Sequence, residues 1–415
     1  MNFDLPSDLT QFLGSLDSFI DTEILPLQNS NDNNRFFDHR REFSRTDWSK
    51  GGLPTIEWEA LLTEARSVAD KAGFYRFALP GIYGGKSHPQ TNLWMTAIRY
   101  HLASHPIYGG GLGLANDLQN EHSVVGNFPD ILMIHHFGSE DQRQELIPLR
   151  LEGKFRATFG LTEPDHGSDA TFMETVAIQV PGGFEISGAK KWQTGAHHCT
   201  HFVIFARTSG TPGSSRGITA FLVPREAKGT KVVSYEWTMN MPTDHATVTL
   251  DRVFTPAEAV LGNVGEGLAI AQTFVHENRL RQAASSCGAA RFCLERGIDR
   301  AKNRKIWGAK SLSENQGIQF PVVELVMQVE MLRLLILKTS VDMDRVAGEA
   351  EREGRKPWVE IEKKLSDKVA MAVEEGGANG SRSTGEMDTR AIIHLSTFIG
   401  ILDGIELRRG QKKSR

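Results

Sequence analysis

Cysteine is scarce. Only Cys199, Cys287 and Cys293 occur in 415 residues, with no CxxC pair. That excludes a disulfide framework and a zinc site of the usual spacing, and it fits a reducing compartment. An excess of one charge is also missing. The 47 basic residues stand against 51 acidic ones, a formal net charge of −4. No global positive field is available to hold a nucleic acid, so any anionic ligand must be met by local basic groups. Long apolar runs are absent too. The densest, Leu332 to Leu337, is interrupted by Arg333 and is far too short to span a bilayer. The start, MNFDLPSDLTQ, carries no basic-then-apolar signal and no Arg-rich transit character. The expectation is a soluble intracellular protein, with cytoplasm, peroxisome and mitochondrion not distinguished. At 40% hydrophobic and 24% charged, with 40 glycines, the composition excludes a disordered or collagen-like chain. Its length suits two or three domains.

Residues 1–154 read as a helical domain. Leu9, Phe12, Leu13, Leu16, Phe19, Ile20 and Ile24 recur at helical spacing, and Pro26 is expected to end that helix. Further helices are expected over Thr55–Ala72, Leu93–Ser104, Asp130–Phe137 and Ser139–Leu151. From about residue 155 to 264 the texture changes. Short Val, Ile, Thr and Phe runs alternate with turns at Val176–Val180, Phe184–Ser187, His201–Ala206, Ile218–Val223, Lys231–Tyr235 and Ala246–Phe254. This spacing predicts an antiparallel barrel or sandwich. Helical periodicity returns over residues 265–371, with long helices at Leu268–Lys302 and Gln316–Ala347 and a third from Val359 to Met371. The order helices, strands, helices makes an α+β, mostly α protein and argues against a doubly wound parallel sheet. Residues 372–415 form an atypical tail, polar and glycine-rich and then apolar without a clean period.

Two strings carry chemistry. Phe159-Gly-Leu-Thr-Glu-Pro-Asp-His-Gly-Ser-Asp169 reads as a strand ending in Leu161 and Thr162, followed by a small-residue loop through Ser168. Small residues let backbone amides and a hydroxyl approach a flat or anionic ligand. Gly188-Ala-Lys-Lys-Trp-Gln-Thr-Gly-Ala196 puts Trp192 and Thr194 two apart on a strand, hence on one face. An indole beside a hydroxyl suits an isoalloxazine ring. An ordinary turn and a core tryptophan are the plainer alternatives. Gly109–Gly113 resembles a phosphate loop but follows no strand. His135-His136 and His197-His198 are set aside as metal ligands, because neighbours point apart on a helix or strand. The three cysteines are read as buried small hydrophobes.

Together these strings resemble the acyl-CoA dehydrogenase family. The resemblance covers residues 1 to about 371 and includes Val260–Gly267 (VLGNVGEG) and Arg304-Lys-Ile-Trp-Gly308 with Gln316. It implies an N-terminal helical domain, a central β domain, a C-terminal helical bundle (incomplete here) and a homo-oligomer, dimer or tetramer. It also implies FAD, an acyl-CoA or other acyl thioester substrate dehydrogenated at its α and β carbons, and an electron-transfer flavoprotein as acceptor. Carried over by position, Phe159, Leu161 and Thr162 line the flavin, with Ser168 near its pyrophosphate or the thioester. Trp192 and Thr194 wall the ring. Arg304, Trp307 and Gln316 reach the FAD of a neighbouring subunit, Arg304 meeting phosphate oxygens bidentately. Arg279 falls near the CoA moiety; a pair with Glu277 is its alternative. A flavin oxidase on the same scaffold and a non-catalytic product are the competing readings.

The resemblance breaks at the catalytic base. One family position for that carboxylate, just before Arg279, holds Asn278, an amide. Glu277 is rotated from it by about 100° on a helix. Near the C-terminus, Gly376–Gly380 (GGANG) is faintly similar to the usual base loop, but Glu386 and Asp388 are not adopted as base, so the catalytic residue stays unassigned. Back-translated and read one base earlier, Ile392–Arg415 can spell an ending with the family's ITEG turn. A shifted reading frame or mis-spliced gene after about Met371 is therefore expected.

Overall fold

The structure is a computed structural model that describes residues 4–110, 112–117, 122–236, 244–306, 308–361 and 363–364. Trp307, Glu386, Asp388, the tail and most of the third helix expected over Val359–Met371 lie outside the described residues. Two compact units are distinguished: the described residues of Met1–Asn34, Glu64–Asn127 and His276–Arg415, and those of Arg35–Thr63 and Phe128–Val275.

Helix α1 (Ser7–Phe19) buries Leu9, Leu13, Leu16 and Phe19, the stripe its spacing predicts. Pro26 does not end this helical stretch. A π-helical turn at Ile20–Ile24 follows, and α2 (Leu25–Asn29) carries Pro26 within its first two positions. Phe19, Ile24 and Leu25 all keep right-handed helical angles, so the π turn carries the chain into Pro26 without a break. Helices α3 (Ile56–Lys71), α4 (Thr91–Ser104), α5 (Pro129–Phe137) and α6 (Glu140–Leu151) lie within two residues of the expected spans. Ser139 and Gln142 start α6 with a reciprocal capping box.

Strands β1 (Ala157–Gly160), β2 (Val176–Val180), β3 (Gly183–Thr194), β4 (His201–Arg207), β5 (Ile218–Pro224), β6 (Thr230–Glu236), β7 (His245–Pro256) and β8 (Val260–Leu261) make one sheet. Its order is β6-β7-β3-β2-β4-β5-β8, with β1 on β4. The sheet is mixed where antiparallel strands were expected: β1 pairs β4 in parallel, from Ala157 opposite His201 to Gly160 opposite Ile204. The chain reverses once at the β2–β3 hairpin and again between β3 and β4, so β4 runs in the direction of both β1 and β2, with Val176 opposite Arg207. The sheet core holds Phe184, Ile186, Phe202, Ile204, Phe221, Val223, Val248 and Val253. In the other unit, α7 (Gly267–Asn303) and α8 (Gln316–Arg352) share a core of Leu280, Ala284, Cys287, Val329, Ile336 and Met343. Cys199 and Cys287 are buried, but Cys293 is exposed, because it falls on the outer side of α7. Among the described residues, no helix is long and apolar enough to cross a membrane.

Candidate functional site

The segment after β1 is sewn to β3. Thr162 O accepts the Lys191 N–H at 2.9 Å. Lys190 Nζ donates to Leu161 O at 3.2 Å and to Glu163 Oε1 at 2.8 Å. The Glu163 carboxylate also accepts the N–H groups of Glu174 and Thr175, at 2.6 and 3.0 Å. Both side chains are buried. Burial pushes the Lys190 ammonium down to about 8, with Glu163 pulling it back. Burial alone would raise Glu163, yet Lys190 and the bonds donated by Thr175 and Glu174 hold its carboxyl below the usual range. At Gly160 a Cβ would sit 2.8 Å from Gln193 Nε2, so any larger residue would have to displace that buried amide.

A β-bulge sets the face of Trp192. Along β3 and β7, Lys190 pairs Val248 while Gln193 pairs Ala246, so three steps on one strand match two on the other. Lys190 and Gln193 point into the core, and Trp192 points out, 45% exposed. Trp192 has φ +65°, a left-handed conformation that a bulky residue keeps only when its surroundings impose it. Thr194 Oγ1 lies 2.9 Å from His245 Nδ1, and the His245 ring meets the indole edge-on with centroids 6.4 Å apart. Leu161, Thr162, Trp192 and Thr194 are thus drawn to one end of the sheet. Phe159 stacks on Phe274, with centroids 4.0 Å apart and planes 6° apart. Ser168 is exposed in the loop beyond. An outward indole beside a threonine hydroxyl fits a flat tricyclic ring, which needs one aromatic wall and polar contact at its edge.

In the helical unit, Arg279 is exposed on α7. Asn278 Oδ1 accepts from Asn127 Nδ2 at 2.7 Å. Glu277 is 2% exposed and ion-paired to Arg281 one turn on. Burial lowers the Arg281 pKa and Glu277 opposes that. Arg304 and Gln316 are exposed. The Arg304 carbonyl accepts the Leu312 N–H at 2.8 Å, which closes the small hairpin of Lys305–Ile306 and Lys310–Ser311. Gln316 opens α8 behind the Asn315 cap.

Three groupings escaped the sequence reading: the Lys190–Glu163 pair, the Asn127–Asn278 bond, and the cluster of Glu59, His197 and His198. The ground for setting aside His197-His198 fails, because the two lie in a turn after β3, not on a strand, and their rings meet at 2.6 Å. The glycine at 195 was the available signal for that turn.

The chain matches "Acyl-CoA dehydrogenase, middle domain" over residues 158–253 and "Acyl-CoA dehydrogenase, C-terminal domain" over residues 265–373. It is 30% identical to the short-chain specific acyl-CoA dehydrogenase of Megasphaera elsdenii over 283 residues, covering 66% of this chain and 69% of that protein. It is 32% identical to the caffeyl-CoA reductase-Etf complex subunit CarC of Acetobacterium woodii over 275 residues, covering 66% and 69%. The structure described as the FAD complex of PigA shares the fold, with a TM-score of 0.62 at 19% identity, covering 94% of this chain and 88% of that one. The matched middle domain contains both the β3 bulge and the loop it anchors, and on these grounds the chain belongs to the acyl-CoA dehydrogenase family, flavoprotein oxidoreductases that act on acyl-CoA.

Proposed function

We propose that this protein binds FAD and dehydrogenates an acyl thioester between its α and β carbons, passing the electrons to an electron-transfer flavoprotein. The observation that carries the reading is Trp192, turned outward on a bulge at positive φ with the Thr194 hydroxyl on the same face. The FAD complex of a fold neighbour and the Etf-complex subunit among the relatives support the cofactor and the acceptor.

When bound, FAD supplies the two-electron acceptor of the reaction. Trp192 and Thr194 wall its ring, and Phe159, Leu161 and Thr162 line it. Ser168 sits toward the pyrophosphate or the thioester. Lys190 and Glu163 act at one remove, by fixing the backbone of Leu161 to Glu163 against β3. Arg304, Trp307 and Gln316 serve the FAD of a neighbouring copy in a homo-oligomer, and Arg279 serves the CoA end of the substrate. No base is assigned. Asn278 cannot take a proton at neutral pH, and Glu277 already neutralises a buried guanidinium. A reading-frame shift after about Met371 belongs to the same proposal, and sequencing the transcript across that junction tests it.

Purified chain loaded with FAD should be yellow and should bleach under anaerobic conditions with one member of an acyl-CoA chain-length panel. Trp192→Ala should weaken FAD retention by about tenfold, the scale of one lost aromatic contact. A colourless protein that does not retain added FAD sinks the proposal. Rapid reoxidation by air alone would replace the flavoprotein acceptor with oxygen.

A further inference from the structure

We propose that Glu59, His197 and His198 form a divalent-metal site of the zinc class on the sheet-bearing unit. The three residues each present one ligand atom, and these atoms lie within 4.8 Å of one another. Glu59 stands in the first turn of α3. The two histidines stand in the turn that leaves β3, where Gly195 takes φ +77° and its N–H bonds Asp244 O at 2.7 Å. The His198 N–H returns to Gly195 O at 3.2 Å, so consecutive side chains no longer diverge. Their rings are perpendicular, 86° between planes, with centroids 4.1 Å apart.

Ring nitrogen faces ring nitrogen. His197 Nε2 lies 2.6 Å from His198 Nδ1 and 3.3 Å from Glu59 Oε1. Two imidazole nitrogens so placed need one proton between them, and a carboxylate beside them favours a cation in that space. Two imidazoles and one carboxylate are a common donor set for three-ligand zinc, with water in the fourth position. Tetrahedral zinc at about 2.0–2.1 Å from nitrogen separates two nitrogen ligands by about 3.3 Å. The nitrogens, now 2.6 Å apart, therefore separate by about 0.7 Å on binding, which the surface position of the His198 ring permits. An ion has a path in, since the Glu59 side chain is 32% exposed.

Two features set the affinity. His197 Nδ1 is buried without a hydrogen-bond partner, so the ring lacks the outer contact that ordinarily fixes a ligand histidine. Arg225 Nη1 donates to the His197 carbonyl at 3.4 Å, which brings a positive charge near. A missing outer-shell partner weakens metal affinity by about 10–100-fold relative to a fully supported site. The bound ion would tie the start of α3 to the turn that follows Thr194.

The test is titration of the full chain with Zn²⁺ by calorimetry and with Co²⁺ by its visible absorption. All forms carry Cys293→Ser, which removes an exposed thiol as a competing ligand. The expected result is one equivalent bound in the micromolar range, a zinc-dependent rise in Tm, and at least tenfold weaker binding in both His198→Ala and Glu59→Gln. His198 is exposed, so its replacement leaves the fold intact. Uptake by both variants with the affinity of the parent overturns the proposal, as does a parent chain that takes up no metal at about 1 mM, where a micromolar site is saturated.

Discussion

An ammonium group with no exposed surface is unfavourable unless a partner meets it, and Lys190 has Glu163 at 2.8 Å. Lys190→Met leaves that carboxylate buried with two backbone amides and no cation. The expected loss is about 3–5 kcal/mol in urea unfolding. Titration of the pair adds a pH signature. Glu163 is held below its usual 4.5, so its contribution is in place above that value and fades as pH falls through the lowered one. Lys190 is lowered from 10.5 to about 8, so between those values the unfolded chain binds more protons. In that window this group by itself makes stability rise with pH. The variant should lose the rise, read as urea midpoints from pH 8 to 10.5. The sequence shows LTEP and KKW but not that Lys190 points inward while Lys191 does not. Alternation from Phe184 and Ile186 along β3 puts Lys190 inward; the bulge then turns Gln193 in and Trp192 out, a property of pairing with β7.

At the scale of elements, helix spans were legible because a 3.6-residue apolar period is local. Strand β3 was not. It was read as two pieces, Phe184–Ser187 and the stretch that carries Trp192 and Thr194, and Gly188 hid that both belong to one strand, Gly183–Thr194. The start of α4 was likewise hidden. No side chain next to it caps the helix; instead Asp344 of α8 accepts the N–H groups of Asn92 and Leu93, each at 2.9 Å. Asn92 Nδ2 adds a third bond at 2.9 Å. The cap comes from 252 residues away in sequence. Asp344→Ala should cost about 1–2 kcal/mol, as removal of a helix cap does, and amide exchange should accelerate in the first turn of α4.

For the whole molecule, α8 carries two apolar stripes. Val322, Val326, Val329, Ile336 and Met343 face the helical core. On the opposite side Phe320, Val323, Met327 and Met331 are 62%, 55%, 53% and 63% exposed. Helical steps of about 100° put these four within one quadrant. A stripe of this kind marks an association surface, in keeping with the homo-oligomer proposed above. Sedimentation should give a mass above that of one chain, and Met331→Glu should shift it toward the monomer. A parent chain that sediments as a monomer removes the oligomer from the proposal.

The sequence by itself determined the order of helices and strands, the family, and the two strings that hold the candidate flavin face. Those are local patterns, in which each residue is read against near neighbours. Only the tertiary structure decided that Trp192 turns outward, that Glu163 neutralises Lys190, that Asp344 caps α4, and that Glu59 meets His197 and His198. Each of these joins segments far apart in the chain. A buried charge or an open helix end states that a partner is needed, but only the fold selects which distant residue supplies it.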